Sequence, residues 1–398
     1  MLPTGDAESL AAAVDAMVLR LVRVSAHAVP DELPWLLFEE ARRAGLAEAA
    51  ILLVDVEQTA LMPLPPAPPE LPPQDIDSTL AGRCYQTEQP LTSSASQDGT
   101  VVLWVPLIDG SERLGVLYLR APAISDRLVD SCVGLAALVA ELVVSKSQYG
   151  DFLVLARRRR PMTLAAEMRW SLLPPLTFSS KRAHIACVLE PAYEVAGDAF
   201  DYAMDGDVLH LAIFDAMGHG LEASRIANLA VGGYRQARRL GLDLAATYEL
   251  MDAAMAEQFG DERFVTAQLA TLDVSGGTFR WLNAGHPHPL LLRRGRLASE
   301  LVSEPSVPVG LGGVAGSVSS QSLEPGDALL LFTDGVVEAR SPGGERFGQE
   351  RLVDLTRRAL AAQQTLAETV RRLVRSVREH RDGPPRDDAT LLFVEWHP

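Results

Sequence analysis

The sequence predicts an α+β protein whose larger, C-terminal domain has two sheets covered on both sides by helices. The chain has 398 residues, enough for two or three domains with ample core. In its second half, strand-like apolar runs surround two long helical segments, and further helices precede one last strand. The first half has its own order of helix, strand, loop, helix, hairpin and helix. We therefore predict domains at residues 1–148 and 176–398, joined by a helical linker over 149–175.

Hydrophobic periodicity defines the elements of the N-terminal domain. Apolar residues at helical spacing predict helices over residues 6–28, 33–44, 77–87 and 126–146. Strands are predicted over 49–56 and in a hairpin, 101–108 with 114–120, around Asp109-Gly110. Residues 62–73 are rich in proline, which excludes a helix or a central strand and predicts a loop.

The linker is predicted to be a helix over residues 151–173 that breaks or kinks at Pro161. Its apolar stripe of Leu164, Met168 and Leu172 would pack on the next domain or pair with a second chain. The basic run 157–160 would be a solvated helix end or a clamp on an acidic partner.

The C-terminal domain alternates strands with long helices. Helices are predicted over residues 221–239, 243–259, 349–361 and 366–380, and Gly232-Gly233 would permit a close helix crossing. The last helix has an arginine face, predicted to be solvated, formed by Arg371, Arg372, Arg375 and Arg378. Residues 265–274 and 278–283 predict a hairpin, whose sheet is continued by 289–293 and 296–302.

Four aspartates lie at the ends of strand-like runs in this domain: Asp198, Asp215, Asp334 and Asp387. A carboxylate delivered into an apolar interior must be paired or must hold a cation, because an unpaired buried charge is costly. Four carboxylates without cysteine suit hard ions such as Mg²⁺ or Mn²⁺. Any one of them would ordinarily be a turn former or a helix cap, so the metal interpretation depends on their recurrence.

The same residues carry a family resemblance. The ordered motifs are AGDAFD (196–201), DAMGHG (215–220), NAGHP (283–287), FTDG (332–335) and DDAT (387–390). They resemble the SpoIIE/RsbU-like branch of the PPM (type 2C) serine/threonine phosphatases over about residues 165–396. The resemblance implies an αββα sandwich with two Mn²⁺ or Mg²⁺ ions. It also implies that Asp215 bridges both ions and that the Ala216 carbonyl reaches one of them.

The remaining ligands implied by the resemblance are Asp198, directly or through water, with Asp334 and Asp387. Ala196 and Ala216 depart from the more usual residues, but neither change removes a carboxylate. No acid role transfers to His219, which we place at the start of the following helix. His286 and His288 flank prolines in a turn, and the sequence favours no metal role for them.

The N-terminal pattern resembles a GAF domain, on the hairpin phrases WVPLIDG (104–110) and LGVLYL (114–119). Such a domain would bind a small-molecule ligand or form a homodimer, and the sequence does not choose between these. Cys84 would be a buried thiol rather than an attachment or redox site.

Composition limits the partners and the compartment. Lys+Arg 36 against Asp+Glu 52 gives a net charge of −16, which opposes binding to nucleic acid or to an anionic membrane. Three scattered cysteines without metal-ligand spacing indicate buried thiols in a reducing compartment. With no signal peptide or membrane span evident, the sequence predicts a cytoplasmic protein.

These observations predict a metal-dependent phosphoprotein phosphatase that uses a metal-bridged water and is regulated by its N-terminal domain. By family analogy the substrate would be a phosphorylated regulator such as an anti-sigma-factor antagonist. The alternatives are a catalytically silent phosphoprotein-binding or dimerisation scaffold, and hydrolysis of a small phosphorylated metabolite.

Overall fold

The computed structural model describes residues 4–96, 99–194, 197–381, 383 and 387–398, without the side chains of residues 4–7 and 261. It divides into two compact units, Met1–Pro161 and Met162–Pro398. Each unit has its own β-structure, one sheet in the first and two in the second, and its own apolar cores.

The first unit contains one six-stranded antiparallel sheet with helices on both faces. Its helices are α1 Thr4–Val24, α2 Leu33–Ala44, α3 Leu80–Thr87, α4 Asp126–Ser147 and α5 Phe152–Ala156. Its strands are β1 Glu48–Val54, β2 Ala60–Pro63, β3 Gln74–Asp75, β4 Leu91–Thr92, β5 Val101–Asp109 and β6 Glu112–Ala121, in the sheet order β3-β2-β1-β6-β5-β4. Helices α1, α2 and α4 pack on one face of the sheet, and α3 covers the other.

Helix α4 is long and apolar enough, by length and composition, to cross a membrane. It packs into the core of the first unit through Leu128, Leu135 and Val139 among others. The hairpin of β5 and β6 forms where it was predicted. The assignment of this unit to the GAF family stays a prediction.

One detail of the first unit differs from the sequence prediction. Met62 and Pro63, predicted as loop, are the last residues of β2, and Pro63 pairs at the strand end opposite Leu52. The basic run 157–160 follows the end of α5, and its Arg159 and Arg160 are exposed, as expected of a solvated helix end. Arg159 lies 3.8 Å from Asp55, and Arg160 lies 3.6 Å from Glu57.

The second unit is a sandwich of two antiparallel sheets. Its helices are α6 Leu164–Leu172, α7 Gly220–Arg239, α8 Leu244–Phe259, α9 Asp334–Glu338, α10 Gln349–Ala361 and α11 Leu366–His380. Its strands are β7 Thr177–Ser179, β8 Ala183–Glu190, β9 Asp198–Asp205, β10 Val208–Ala216, β11 Val265–Asp273, β12 Thr278–Ala284, β13 Leu290–Arg293, β14 Arg296–Glu300, β15 Ser319–Ser322, β16 Ala328–Phe332 and β17 Ala389–Trp396.

The first sheet has the order β15-β12-β11-β10-β9, and the second has the order β14-β13-β16-β17-β8-β7. Alternate residues of β8, β10, β11 and β17 fill the core between the sheets. Helices α7 and α8 cover the outer face of the first sheet, and α10 and α11 cover that of the second. The predicted αββα arrangement is therefore confirmed.

Three predictions for this unit need correction or refinement. Strands β13 and β14 belong to the second sheet, whereas the sequence predicted that they extend the sheet of β11 and β12. Arg371, predicted to be solvated, is buried. Glu368, one helical turn earlier, neutralises its charge by accepting two hydrogen bonds of 2.9 Å. Of the Gly232-Gly233 pair, only Gly233 lies at the helix crossing, where a Cβ would come 3.3 Å from Met251 of α8.

Candidate metal centre

Two of the predicted aspartates face each other in the first sheet. Asp198 is the first residue of β9, and Asp215 is the penultimate residue of β10. The antiparallel register places them directly opposite each other. Like charges at opposed positions of neighbouring strands are destabilising, so this pair needs a compensating charge.

The other two aspartates meet at the same end of the second sheet. Asp334 follows β16 and opens α9, while Asp387 precedes β17, the neighbour of β16. Gly335 allows this close approach, because a Cβ at that position would lie 1.8 Å from the carbonyl oxygen of Asp388.

Hydrogen bonds join the two pairs across the sandwich. The hydroxyls of Thr333 and Thr390 donate to Oδ2 of Asp198 at 2.7 and 2.6 Å. The backbone N–H of Asp198 donates to Oδ2 of Asp388 at 3.3 Å. The structure thus brings the four predicted aspartates into one cluster, together with Asp388.

The carboxylates of this cluster raise one another's pKa values. Burial first, then the charges of Asp388 and Asp215, raise the pKa of Asp198 well above its usual value. Burial and the charges of Asp334, Asp387 and Asp388 raise the pKa of Asp215 to about 7. Burial also raises the pKa values of Asp334 and Asp387, and Glu338 adds to both shifts.

Elsewhere in this unit the chain pairs buried aspartates with arginine. Asp201 accepts from Arg235 at 2.6 Å and from Arg238 at 2.8 Å. Asp327 is bound at 2.7 Å by Arg293. Within the described residues, by contrast, no lysine or arginine pairs with any of the four clustered aspartates: Asp198, Asp215, Asp334 and Asp387.

Sequence reasoning missed the support of this cluster. Arg169 of α6 is only 3% exposed and donates from Nη1 to Oδ2 of Asp388 at 2.9 Å. Its Nη2 donates to the carbonyl oxygen of Pro191 at 2.7 Å. The same Asp388 oxygen accepts a hydrogen bond from the Asp198 N–H. Arg169 therefore fixes the carboxylate that binds the backbone of Asp198. The one signal in the sequence is that Arg169 is a charged residue on a largely apolar linker helix.

The backbone around Asp215 is packed closely. Gly197 lies against Ala216, since a Cβ on that glycine would come 2.1 Å from the Ala216 carbonyl oxygen. The Ala216 N–H donates to the Gly197 carbonyl at 3.2 Å. Ala196, one of the departures from the family pattern, lies outside the described residues.

The histidines of the motifs lie in turns. His219 is the N-cap residue of α7, between two glycines with positive φ, as the sequence predicted. His286 is buried, with Nδ1 at 2.9 Å from the Thr266 hydroxyl, and Asn283 closes its turn by donating to its carbonyl oxygen. Burial lowers the pKa of His286 to about 3, so it is neutral at physiological pH.

The donor set of the cluster fits hard dications. All of its candidate ligands are oxygens, which Mg²⁺ and Mn²⁺ prefer, and no cationic partner of the four aspartates lies in the described part of the chain. Among the residues that the structure describes, no three of these carboxylates bring oxygens within 4.8 Å of one another.

Comparison with known proteins bears on the second unit. Residues 205–397 match the family model described as Stage II sporulation protein E (SpoIIE). The chain is 23% identical over 238 residues to phosphoserine phosphatase RsbU of Bacillus subtilis (strain 168), covering 58% of this chain and 68% of RsbU. It is 23% identical over 257 residues to Protein IcfG of Synechocystis sp., covering 57% of this chain but only 40% of IcfG.

A solved structure agrees with the fold. The SiaA-PP2C domain of Pseudomonas aeruginosa superposes with a TM-score of 0.50 and 23% identity, covering 58% of this chain and 94% of that one. The second unit therefore shares its fold with the SiaA-PP2C domain.

Proposed function

We propose that this chain, whose residues 205–397 belong to the SpoIIE family, is a metal-dependent phosphatase acting on a phosphorylated serine or threonine of another protein. One observation carries the proposal: four aspartates converge, and no lysine or arginine pairs with them in the described part of the chain. Asp198 is buried and Asp215 is partly buried, whereas Asp334 and Asp387 are exposed rather than in the interior that the sequence predicted. The name of the relative RsbU, a phosphoserine phosphatase, supports the substrate class.

We assign Asp215 to both metal ions, with the Ala216 carbonyl, Asp198, Asp334 and Asp387 completing their ligands. Bound there, Mn²⁺ or Mg²⁺ would supply Lewis-acid stabilisation of the phosphoryl oxygens and activation of water. The residues of the chain position this chemistry. The hydroxyls of Thr333 and Thr390 fix one oxygen of Asp198 and leave the other available.

Arg169 fixes Asp388 from the opposite side of the cluster. Helix α6 is the first helix of the second unit and carries Arg169. A conformational change in residues 1–161 would therefore reach the aspartate cluster through α6 by the shortest covalent path. We therefore propose that the N-terminal unit regulates the phosphatase by shifting α6. A small-molecule ligand or a homodimer contact of that unit would supply the signal, in a protein we expect to be cytoplasmic.

The test is hydrolysis of p-nitrophenyl phosphate by the full chain, with and without millimolar Mn²⁺. We expect metal-dependent turnover that Asp334→Asn abolishes and that Glu257→Gln, an exposed control on α8, retains. Turnover that persists in Asp334→Asn would refute the assigned centre. No Mn²⁺ binding and no turnover would favour the scaffold alternative.

The substrate class needs a second measurement. A phosphoserine or phosphothreonine peptide, carried by a small regulator such as an anti-sigma-factor antagonist, should be cleaved with a higher kcat/KM than small phosphorylated metabolites. The opposite order would assign the enzyme to metabolite hydrolysis and overturn the protein substrate.

A further inference from the structure

Three metal-ligating side chains lie together on the outer face of the second sheet, away from the aspartate cluster. His184 of β8 is directly opposite Glu395 of β17. His397 follows Glu395 by two positions and so projects from the same face. Their ligand atoms all lie within 4.8 Å of one another, the one such group among the described residues.

The geometry of this group leaves one nitrogen without a partner. Nε2 of His397 has almost no contact with solvent and no hydrogen-bond partner in the described part of the chain. The nearest acidic oxygen is Oε2 of Glu395 at 3.7 Å, which is too long for a hydrogen bond. The ring centroids of His184 and His397 are 4.8 Å apart. A nitrogen that is shielded from solvent and has no hydrogen-bond partner costs free energy. We therefore expect a bound species between His184, Glu395 and His397.

We infer that His184, Glu395 and His397 form a second metal site, for a borderline dication such as Zn²⁺. Two imidazole nitrogens and one carboxylate oxygen make a donor set that zinc takes in proteins, with water in the fourth position. Ligand atoms around tetrahedral zinc lie roughly 3.4 Å apart, close to the 3.7 Å already present between His397 and Glu395. The nitrogen donors distinguish this site from the all-oxygen aspartate cluster.

The two sites are well separated. Glu395 is seven residues beyond Asp388 along the extended strand β17, which corresponds to about 23 Å. A metal here would tie the end of β17 to the start of β8 rather than take part at the aspartates. Variants of this site are therefore expected to leave catalysis unchanged.

Nearby charge limits the affinity. Glu395 also borders a cavity of about 440 Å³ lined by Arg294, Arg296 and Arg357. These guanidinium groups oppose a dication, so we expect weaker binding than at a closed structural zinc site.

The experiment measures zinc bound per chain, using metal-free full-length protein, equilibrium dialysis and elemental analysis. Visible absorption after Co²⁺ addition reports nitrogen-containing tetrahedral coordination separately from oxygen-only sites. The variants are His184→Gln and His397→Gln. The matched control is His210→Gln, since His210 lies at the same 3.7 Å from Asp205 but has no second histidine beside it.

We expect the two site variants to lose one zinc equivalent, or to bind it at least about tenfold more weakly, and to lose the cobalt absorption. The control should keep both, and hydrolysis with Mn²⁺ should be unchanged in all variants. Equal zinc binding and equal cobalt spectra in all four proteins would overturn the inference and leave a histidine–carboxylate pair. If a histidine variant does not fold, the near-isosteric Glu395→Gln decides by the same criteria. The zinc measurement does not use phosphatase activity. Its outcome therefore does not depend on whether the proposed phosphatase function is correct.

Discussion

The aspartate cluster should make the metal-free protein less stable, and Asp215→Asn should reveal this. Asp215 lies directly opposite Asp198 and near Asp334 and Asp387. Asparagine has nearly the same shape as aspartate but carries no charge. The substitution therefore removes repulsion while leaving the packing of β10 in place.

The magnitude follows from the pKa of Asp215, which burial and the charges of the neighbouring carboxylates raise from 3.8 to about 7. The ionised form is then about 4 kcal/mol less favourable in the folded state than in the unfolded chain. Because the folded pKa is the higher one, this side chain contributes no penalty below about pH 4. The penalty grows as the pH rises from about 4 to 7 and is complete above that.

We therefore expect metal-free Asp215→Asn to be more stable than the unsubstituted protein by up to about 4 kcal/mol at pH 8, with no gain near pH 4. Saturating Mn²⁺ should reverse the order, because the unsubstituted protein gains binding free energy and the variant loses a bridging ligand. A metal concentration 1,000 times the Kd contributes about 4.1 kcal/mol for each ion, so two bound ions exceed the gain of up to about 4 kcal/mol in the variant.

The assay is urea denaturation of the full chain at pH 4, 6 and 8, with EDTA or with Mn²⁺, followed by circular dichroism. Glu257→Gln removes an exposed charge from the same unit and should change stability little under every condition. If Asp215→Asn were less stable than the unsubstituted protein at pH 8 without metal, repulsion would not govern the cluster and the reasoning would fail.

Three further predictions concern the support of the site and the thiols. Arg169→Met should cost about 3–5 kcal/mol by removing the buried guanidinium that pairs with the buried Asp388, and adding Asp388→Asn should recover part of that loss in the same denaturation assay. Gly335→Ala should abolish Mn²⁺ binding measured by calorimetry while the sheets persist in circular dichroism, since its Cβ would overlap the Asp388 carbonyl; normal binding would contradict this. The native protein should react with Ellman's reagent only after unfolding, because burial raises the pKa of all three thiols: Cys84, Cys132 and Cys187.

The four aspartates could be predicted from the sequence because each lies beside a strand-like run or a glycine turn. Within each sheet their pairing follows from antiparallel neighbours, which place the start of β9 opposite the end of β10 and the end of β16 beside the start of β17. The meeting of the two pairs depends on how the two sheets pack. The metal role of each residue stays a prediction. Local patterns were sufficient to find the candidates.

Other features depend on distant contacts and left no local signal. Arg169 and Asp388 are 219 residues apart, and the charge of Arg169 on a linker helix is typical of a solvated side chain. Arg371 is a different case, because its partner Glu368 is three residues earlier in the same helix, but the burial of both side chains depends on the fold. The sheet to which β13 belongs could not be read from chain order, because Gly285 with φ 70° begins a turn that carries the chain to the other sheet.

In this cluster, hydrogen bonds orient the carboxylates without neutralising the charge of the four assigned aspartates. Asp198 is fixed by two hydroxyls and Asp388 by a guanidinium. Among the residues that the structure describes, a basic side chain therefore pairs with Asp388, which we do not assign to metal, and with none of the four assigned aspartates. An arginine at Asp198 would neutralise it, as Arg235 and Arg238 do at Asp201. Threonine hydroxyls instead restrict the carboxylate while leaving its charge for an external partner. In the regulation that we propose, Arg169 lies beside the assigned ligands rather than among them, so a protein contact that moves Arg169 would change the site without occupying a ligand position.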